Sequence, residues 1–122
     1  LSREVVAARY HEFWHGLGIQ PDETPENTRY YTLVDIFDLM RQRHGKEFCQ
    51  YFKDNYNYLD FTYRLATEFG AVVMDATAFG AEKGNVRVSL ANLEKADYRK
   101  LARAILDLVD EYSQVFKKKN KK

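Results

Sequence analysis

At 122 residues the chain is long enough for one hydrophobic core and short for a complete cofactor-dependent enzyme. Its formal net charge of +1 comes from the far end: setting aside Lys117, Lys118, Lys119, Lys121 and Lys122 leaves 14 basic against 18 acidic side chains, or −4. That balance argues against nucleic-acid binding by the body of the protein, and no apolar run is long enough to span a bilayer. Residues 117–122 are expected to form a basic, flexible tail behind a single domain over 1–116. No signal-peptide pattern is present, and the chain opens at Leu1 in what reads as mid-helix, so a piece of a longer protein is expected. Cys49 is the only cysteine. It allows no internal disulfide and points to a reducing cytoplasm.

Val6, Tyr10, Phe13 and Leu17 recur at spacings of four, three and four, with Trp14 beside them. This is one apolar stripe of a helix, which Gly16 and Gly18 end. A loop follows from Gln20 to Thr28, marked by Pro21 and Pro25. Tyr30 to Val34 is β-branched and aromatic, as a strand should be. Asp35 is placed to cap the next helix, with Ile36, Leu39 and Met40 facing the core and Gly45 as its punctuation.

Two further helical patterns run from Lys46 to Gly70. The first buries Phe48, Tyr51, Phe52 and Tyr56; the second is read as burying Leu59, Tyr63, Ala66 and Phe69. Cys49 sits within the first, among aromatics, where a buried and inert thiol is expected rather than a nucleophile. A short strand over Ala71–Met74 and a loop over Asp75–Gly84 lead to a second alternation. Val86, Val88 and Leu90 share one face of a strand, and Arg87 and Ser89 share the other. Asn92 is a candidate N-cap for a last helix whose buried stripe is Leu101, Ile105, Leu108 and Tyr112. Two or three short strands, mixed or antiparallel, under four or five helices make an α+β domain.

Two constellations carry possible chemistry. His11-Glu12-Phe13-Trp14-His15 is a literal H-E-x-x-H, which on a helix places two histidines one turn apart for zinc and a glutamate to activate water. The third-ligand position of the extended pattern is Pro21, which cannot bind metal. Asp22 and Glu26 lie off the spacing, and only ten residues precede His11. A packing helix with two solvated histidines accounts for the same letters, so no metal site is expected. The second constellation is Arg87. A strand that presents a planar guanidinium suits a bidentate contact with a carboxylate.

The stretch Ala78-Phe79-Gly80 through Val86-Arg87-Val88-Ser89-Leu90-Ala91-Asn92 closely resembles the C-terminal segment of pyridoxal phosphate enzymes of the aspartate aminotransferase fold. The resemblance extends to Arg9-Tyr10-His11-Glu12-Phe13-Trp14-His15-Gly16-Leu17-Gly18-Ile19 as the entering helix and to Tyr30-Tyr31-Thr32-Leu33-Val34-Asp35 as the first strand. Within that superfamily the aspartate 4-decarboxylase branch fits best, through the long helical insertion from Gly45 to Ala66 and through Arg87-Val88-Ser89-Leu90-Ala91-Asn92-Leu93 followed by Asp97-Tyr98. Ala76-Thr77-Ala78 departs from a more glycine-rich approach to Phe79-Gly80.

The resemblance implies the small domain of an enzyme acting on L-aspartate. Its activity would release the β-carboxylate as carbon dioxide to leave L-alanine, with aspartate transamination beside it. It implies that Arg87 holds the substrate α-carboxylate. Pyridoxal 5'-phosphate and its lysine would belong to a larger domain outside this chain, so no catalytic or cofactor-binding residue is expected here and the chain alone should be inactive. Lys46, Lys53, Lys83, Lys95 and Lys100 read as solvated. The implied partners are the chain's own large domain and a second subunit of a homo-oligomer. An ordinary aminotransferase small domain is the nearest alternative. A non-catalytic interaction domain is another, given 9 tyrosines and 8 phenylalanines.

Overall fold

A computed structural model describes residues 2–20, 31–69, 74–75, 83–90 and 93–120. Its elements run α1 (Arg3–Leu17), β1 (Tyr31–Asp35), α2 (Ile36–His44), α3 (Lys46–Asn55), α4 (Tyr58–Phe69), β2 (Met74–Asp75), β3 (Asn85–Ser89) and α5 (Lys95–Asn120). The three strands form one antiparallel sheet in the order β1-β3-β2. The architecture is α+β, as the residue patterns imply. All but the first residue of the segment read as the loop over Gln20–Thr28, most of the strand at Ala71–Met74, most of the loop over Asp75–Gly84 and the Asn92 cap lie outside the described residues.

Local chemistry explains most element boundaries. Ser2 caps α1 by accepting from the Val5 N–H at 3.2 Å. Gly18, at φ +76°, closes the helix by donating to the Trp14 and His15 carbonyls. Gly16 does not end α1; it is part of the helix. An ideal Cβ there would stand 2.8 Å from Ala102 Cβ, so the missing side chain lets α1 and α5 approach closely. The Asp35 carboxylate accepts from the Asp38 N–H at 3.0 Å and starts α2 directly at the end of β1. At the head of α5, Asp97 reaches back to the Glu94 N–H at 3.3 Å, satisfying one of the amides left over at a helix start.

The core lies between the inner face of the sheet and the α1–α5 layer. Thr32 and Val34 of β1 and Val86, Val88 and Leu90 at β3 are buried, as are Leu101, Ile105, Leu108 and Tyr112 of α5. Trp14 donates its Nε1–H to Thr32 Oγ1 at 3.0 Å, which satisfies the one polar atom of a buried indole and ties α1 to β1.

Helices α3 and α4 pack on the other part of α5 through aromatic rings. Phe52 meets Tyr112 edge-on at 5.0 Å between centroids, and Phe61 stacks on Tyr112 at 6.1 Å. Such pairs add about 0.5–1.5 kcal/mol each beyond their buried area.

Helix α4 departs from the expected stripe. Leu59 and Tyr63 are exposed, at 43% and 68%, and Ala66 is exposed too, while Tyr58, Phe61 and Leu65 face the core. Both sets are apolar at helical spacing. Ring contacts of Phe61 with Phe52 and Tyr112 select the second. At the far end, α5 runs on to Asn120, four residues into the stretch read as a tail. Lys117, Lys118 and Lys119 are exposed in its last turn, where cations face the negative end of the helix dipole.

Candidate functional site

Arg87 sits at the middle of the central strand. On β3 the burial alternates, with Val86 and Val88 inward and Asn85, Arg87 and Ser89 half-buried on the outer face. β1 alternates in step, putting Tyr31, Leu33 and Asp35 on the same outer face. The register sets Leu33 directly opposite Arg87 and Tyr31 opposite Ser89. From the diagonal position the Tyr31 ring lies under the guanidinium, with Cζ 3.8 Å from the ring centroid. This cation–π contact restricts where the guanidinium can sit on the outer face of the sheet. A planar fork held over a ring, mounted on a strand hydrogen-bonded on both sides, suits bidentate recognition of a carboxylate.

The backbone around Arg87 is held at both ends. Upstream, Gly84 turns the chain into β3 at φ +98°, and its carbonyl accepts from the Ile36 N–H at 2.9 Å. The space a Cβ would take at Gly84 is filled by the Phe37 ring. Downstream, the Tyr98 hydroxyl donates to the Ser89 carbonyl at 2.7 Å, and Arg9 Nη1 donates to the Leu90 carbonyl at 2.9 Å.

Neither Tyr31 nor this pair of tethers was read from the residue pattern as part of the site. Arg9 did carry a signal: it is a cation on the buried stripe of α1, three residues after Val6 and four before Phe13, and it is only 8% exposed.

The H-E-x-x-H residues do not converge. His11 and His15 are exposed, and Glu12 is committed to an ion pair with Arg99 Nε at 2.6 Å. Among the described residues no three histidine, cysteine, aspartate or glutamate side chains are placed to share a metal ion. Asp22 and Glu26 lie outside those residues.

Cys49 is 2% exposed, between the Phe37 carbonyl and Arg41, and burial raises its thiol pKa, as befits an inert core thiol. A recess of about 510 Å³ opens beside Asp35, Phe37 and Lys53, at the end of β1 away from Tyr31. Arg87 does not line it; the arginine lies on the outer face of the sheet instead. The lysines at 46, 53, 83, 95 and 100 are exposed, as expected.

Comparison with known proteins decides the lineage. Residues 2–105 match the model of the family described as aminotransferase class I and II. The chain belongs to that family. This aminotransferase-family chain is also similar to a bifunctional aspartate aminotransferase and L-aspartate beta-decarboxylase of a Pseudomonas species, with 30% identity over 115 residues. The match covers 94% of this chain and 22% of that protein. The aminotransferase-family chain thus spans about a fifth of the length of this curated relative, and the matched region includes Arg87 and both tethers. Among its described residues no helix is long and apolar enough to cross a membrane.

Proposed function

We propose that this chain is the small, carboxylate-holding domain of a pyridoxal phosphate-dependent enzyme that acts on L-aspartate, with Arg87 gripping the substrate α-carboxylate. The observation that carries the reading is the guanidinium lying over the Tyr31 ring at the centre of β3. It lies in a chain similar over 94% of its length to a protein named for aspartate aminotransfer and β-decarboxylation. The proposed reaction removes the β-carboxylate of L-aspartate as carbon dioxide and leaves L-alanine, with transamination to oxaloacetate as a companion activity.

The chain's own residues bind and orient. Two parallel N–H···O bonds from Arg87 would fix both carboxylate oxygens, and with them the direction of the bonds at Cα. Ligands without a carboxylate would leave the fork unmatched. Lysine at the same place would supply charge without the fork.

In this reading the cofactor, which serves such enzymes as an electron sink, belongs to the polypeptide that makes up the rest of the enzyme. The chain alone is expected to be inactive, and a second subunit of a homo-oligomer is the proposed partner.

The test uses the full-length enzyme with pyridoxal phosphate and L-aspartate, assaying alanine, carbon dioxide and oxaloacetate together. Alanine with carbon dioxide supports the proposed branch, whereas oxaloacetate alone moves the protein to the ordinary aminotransferases. Arg87→Lys should raise KM for aspartate and lower the rate. Unchanged aspartate kinetics in that variant would remove Arg87 from the substrate site.

A further inference from the structure

We infer that Tyr98 and Arg9 are positioning residues for the Arg87 guanidinium, an inference that rests on the carboxylate-holding role of Arg87. Tyr98 is fully buried, and its hydroxyl holds the carbonyl of Ser89 at 2.7 Å. Ser89 is the register partner of Tyr31, and Tyr31 is the ring on which Arg87 lies. One hydrogen bond from α5 therefore sets the height of the Ser89–Tyr31 pair, and that pair sets the platform under the guanidinium. Arg9 acts on the next residue from the opposite helix, donating to the Leu90 carbonyl at 2.9 Å. Two consecutive carbonyls just past Arg87 are thus each held by a buried side chain, one from each helix of the layer behind the sheet.

The identity of the two residues supports a role beyond filling space. A guanidinium that is 8% exposed is costly to desolvate, and a well-packed apolar side chain at position 9 would serve stability at least as well. What the guanidinium supplies is a long donor that reaches a particular carbonyl across 81 positions of sequence. Helices α1 and α5 are themselves locked together where Gly16 meets Ala102, so the two donors come from one rigid frame. Moving β3 against that frame requires breaking both bonds. With them in place, the arginine keeps one position relative to whatever the outer face of the sheet meets.

The test is a kinetic cycle in the full-length enzyme loaded with pyridoxal phosphate, using L-aspartate and the variants Tyr98→Phe, Arg87→Gln and the double variant. Tyr98→Phe should raise KM about three- to tenfold, the fold-change of one lost neutral hydrogen bond, with kcat changed less. In the Arg87→Gln background the same replacement should leave KM unchanged, because a residue that acts through Arg87 has nothing left to position. A KM that rises equally in both backgrounds would show a general structural role and overturn the inference. So would an unchanged KM in Tyr98→Phe beside a raised one in Arg87→Gln, which leaves the carboxylate role standing. An unchanged KM in Arg87→Gln itself would take down the carboxylate role and the positioning role together. Arg9→Met and Arg9→Lys repeat the comparison at the second tether should Tyr98→Phe fold poorly: Met should raise KM, and Lys, which keeps a donor, should recover part of it.

Discussion

Gly84 offers the sharpest test of how the strand bearing Arg87 is seated. Its φ of +98° lies in the left-handed region, and an ideal Cβ there would stand 2.5 and 2.6 Å from Phe37 Cδ2 and Cε2. Two costs therefore add in Gly84→Ala. The backbone conformation costs an L residue about 1–2 kcal/mol, of which about 0.4–1 kcal/mol is returned because alanine restricts the unfolded chain. The contact with Phe37 is far inside van der Waals distance, and such overpacking costs about 1–3 kcal/mol as the ring is displaced from Phe52 and Tyr58. The sum is a loss of about 1–5 kcal/mol, centred on roughly 3 kcal/mol.

Gly18 separates the two terms. It has φ +76° with nothing within 4 Å of its ideal Cβ, so Gly18→Ala should lose only about 1 kcal/mol. Urea unfolding of the 122-residue chain, followed by the fluorescence of its single tryptophan, Trp14, measures both. If Gly84→Ala is no more destabilising than Gly18→Ala, the steric part of the reasoning is wrong. Phe37→Leu in the Gly84→Ala background should recover the steric part and leave the backbone part.

Four other outcomes are expected. Gly16→Ala should destabilise by about 1–2 kcal/mol, its overpacking against Ala102 being partly offset by better helix propensity, and Ala102→Gly should relieve it so that the double variant is less destabilised than the sum of the singles. Leu65→Ala should cost about 2–4 kcal/mol while Tyr63→Ala stays within about 0.5 kcal/mol, since only the first side chain is in the core; comparable losses would reverse the assigned face of α4. Asp110 accepts from Arg43 at 2.7 and 2.8 Å, and these bonds, with His44 beside it, hold its carboxyl down to about 2. A lowered folded pKa means that the contribution is complete above the unfolded value near about pH 4 and is lost as pH falls towards 2. With the side chain 34% exposed, screening limits it to about 1 kcal/mol, so Asp110→Asn should make the acid-side loss of stability shallower, and an unchanged slope would count against the pair. Finally, Cys49 in the folded chain should react with a thiol reagent roughly a hundredfold or more slowly than in urea, its rate governed by opening of the core; fast labelling without denaturant would contradict its burial.

Much of the fold is legible in the order of residues because its causes are short-range. The apolar stripes of α1, α2 and α5, the Asp35 cap at the end of β1 and the alternation of Val86, Val88 and Leu90 against Arg87 and Ser89 each follow from neighbours within a turn of helix or a few strand residues. Arg87 as the candidate site residue also follows from its strand context together with the family resemblance. Helix α4 shows where this kind of reading stops. It carries two apolar stripes of equal helical spacing, and periodicity cannot rank them; the rings of Phe52 and Tyr112, brought in by other elements, choose Phe61 and Leu65.

The same limit applies around the arginine. That Tyr31 lies under Arg87 depends on the β1–β3 register, and that Arg9 and Tyr98 secure the strand behind it depends on how α1 and α5 pack. Residue order alone determined which side chain has the planar fork and which strand face it occupies. Only tertiary structure decided what holds that fork still, because contacts between residues far apart in the chain are set by register and packing, which local propensity does not encode.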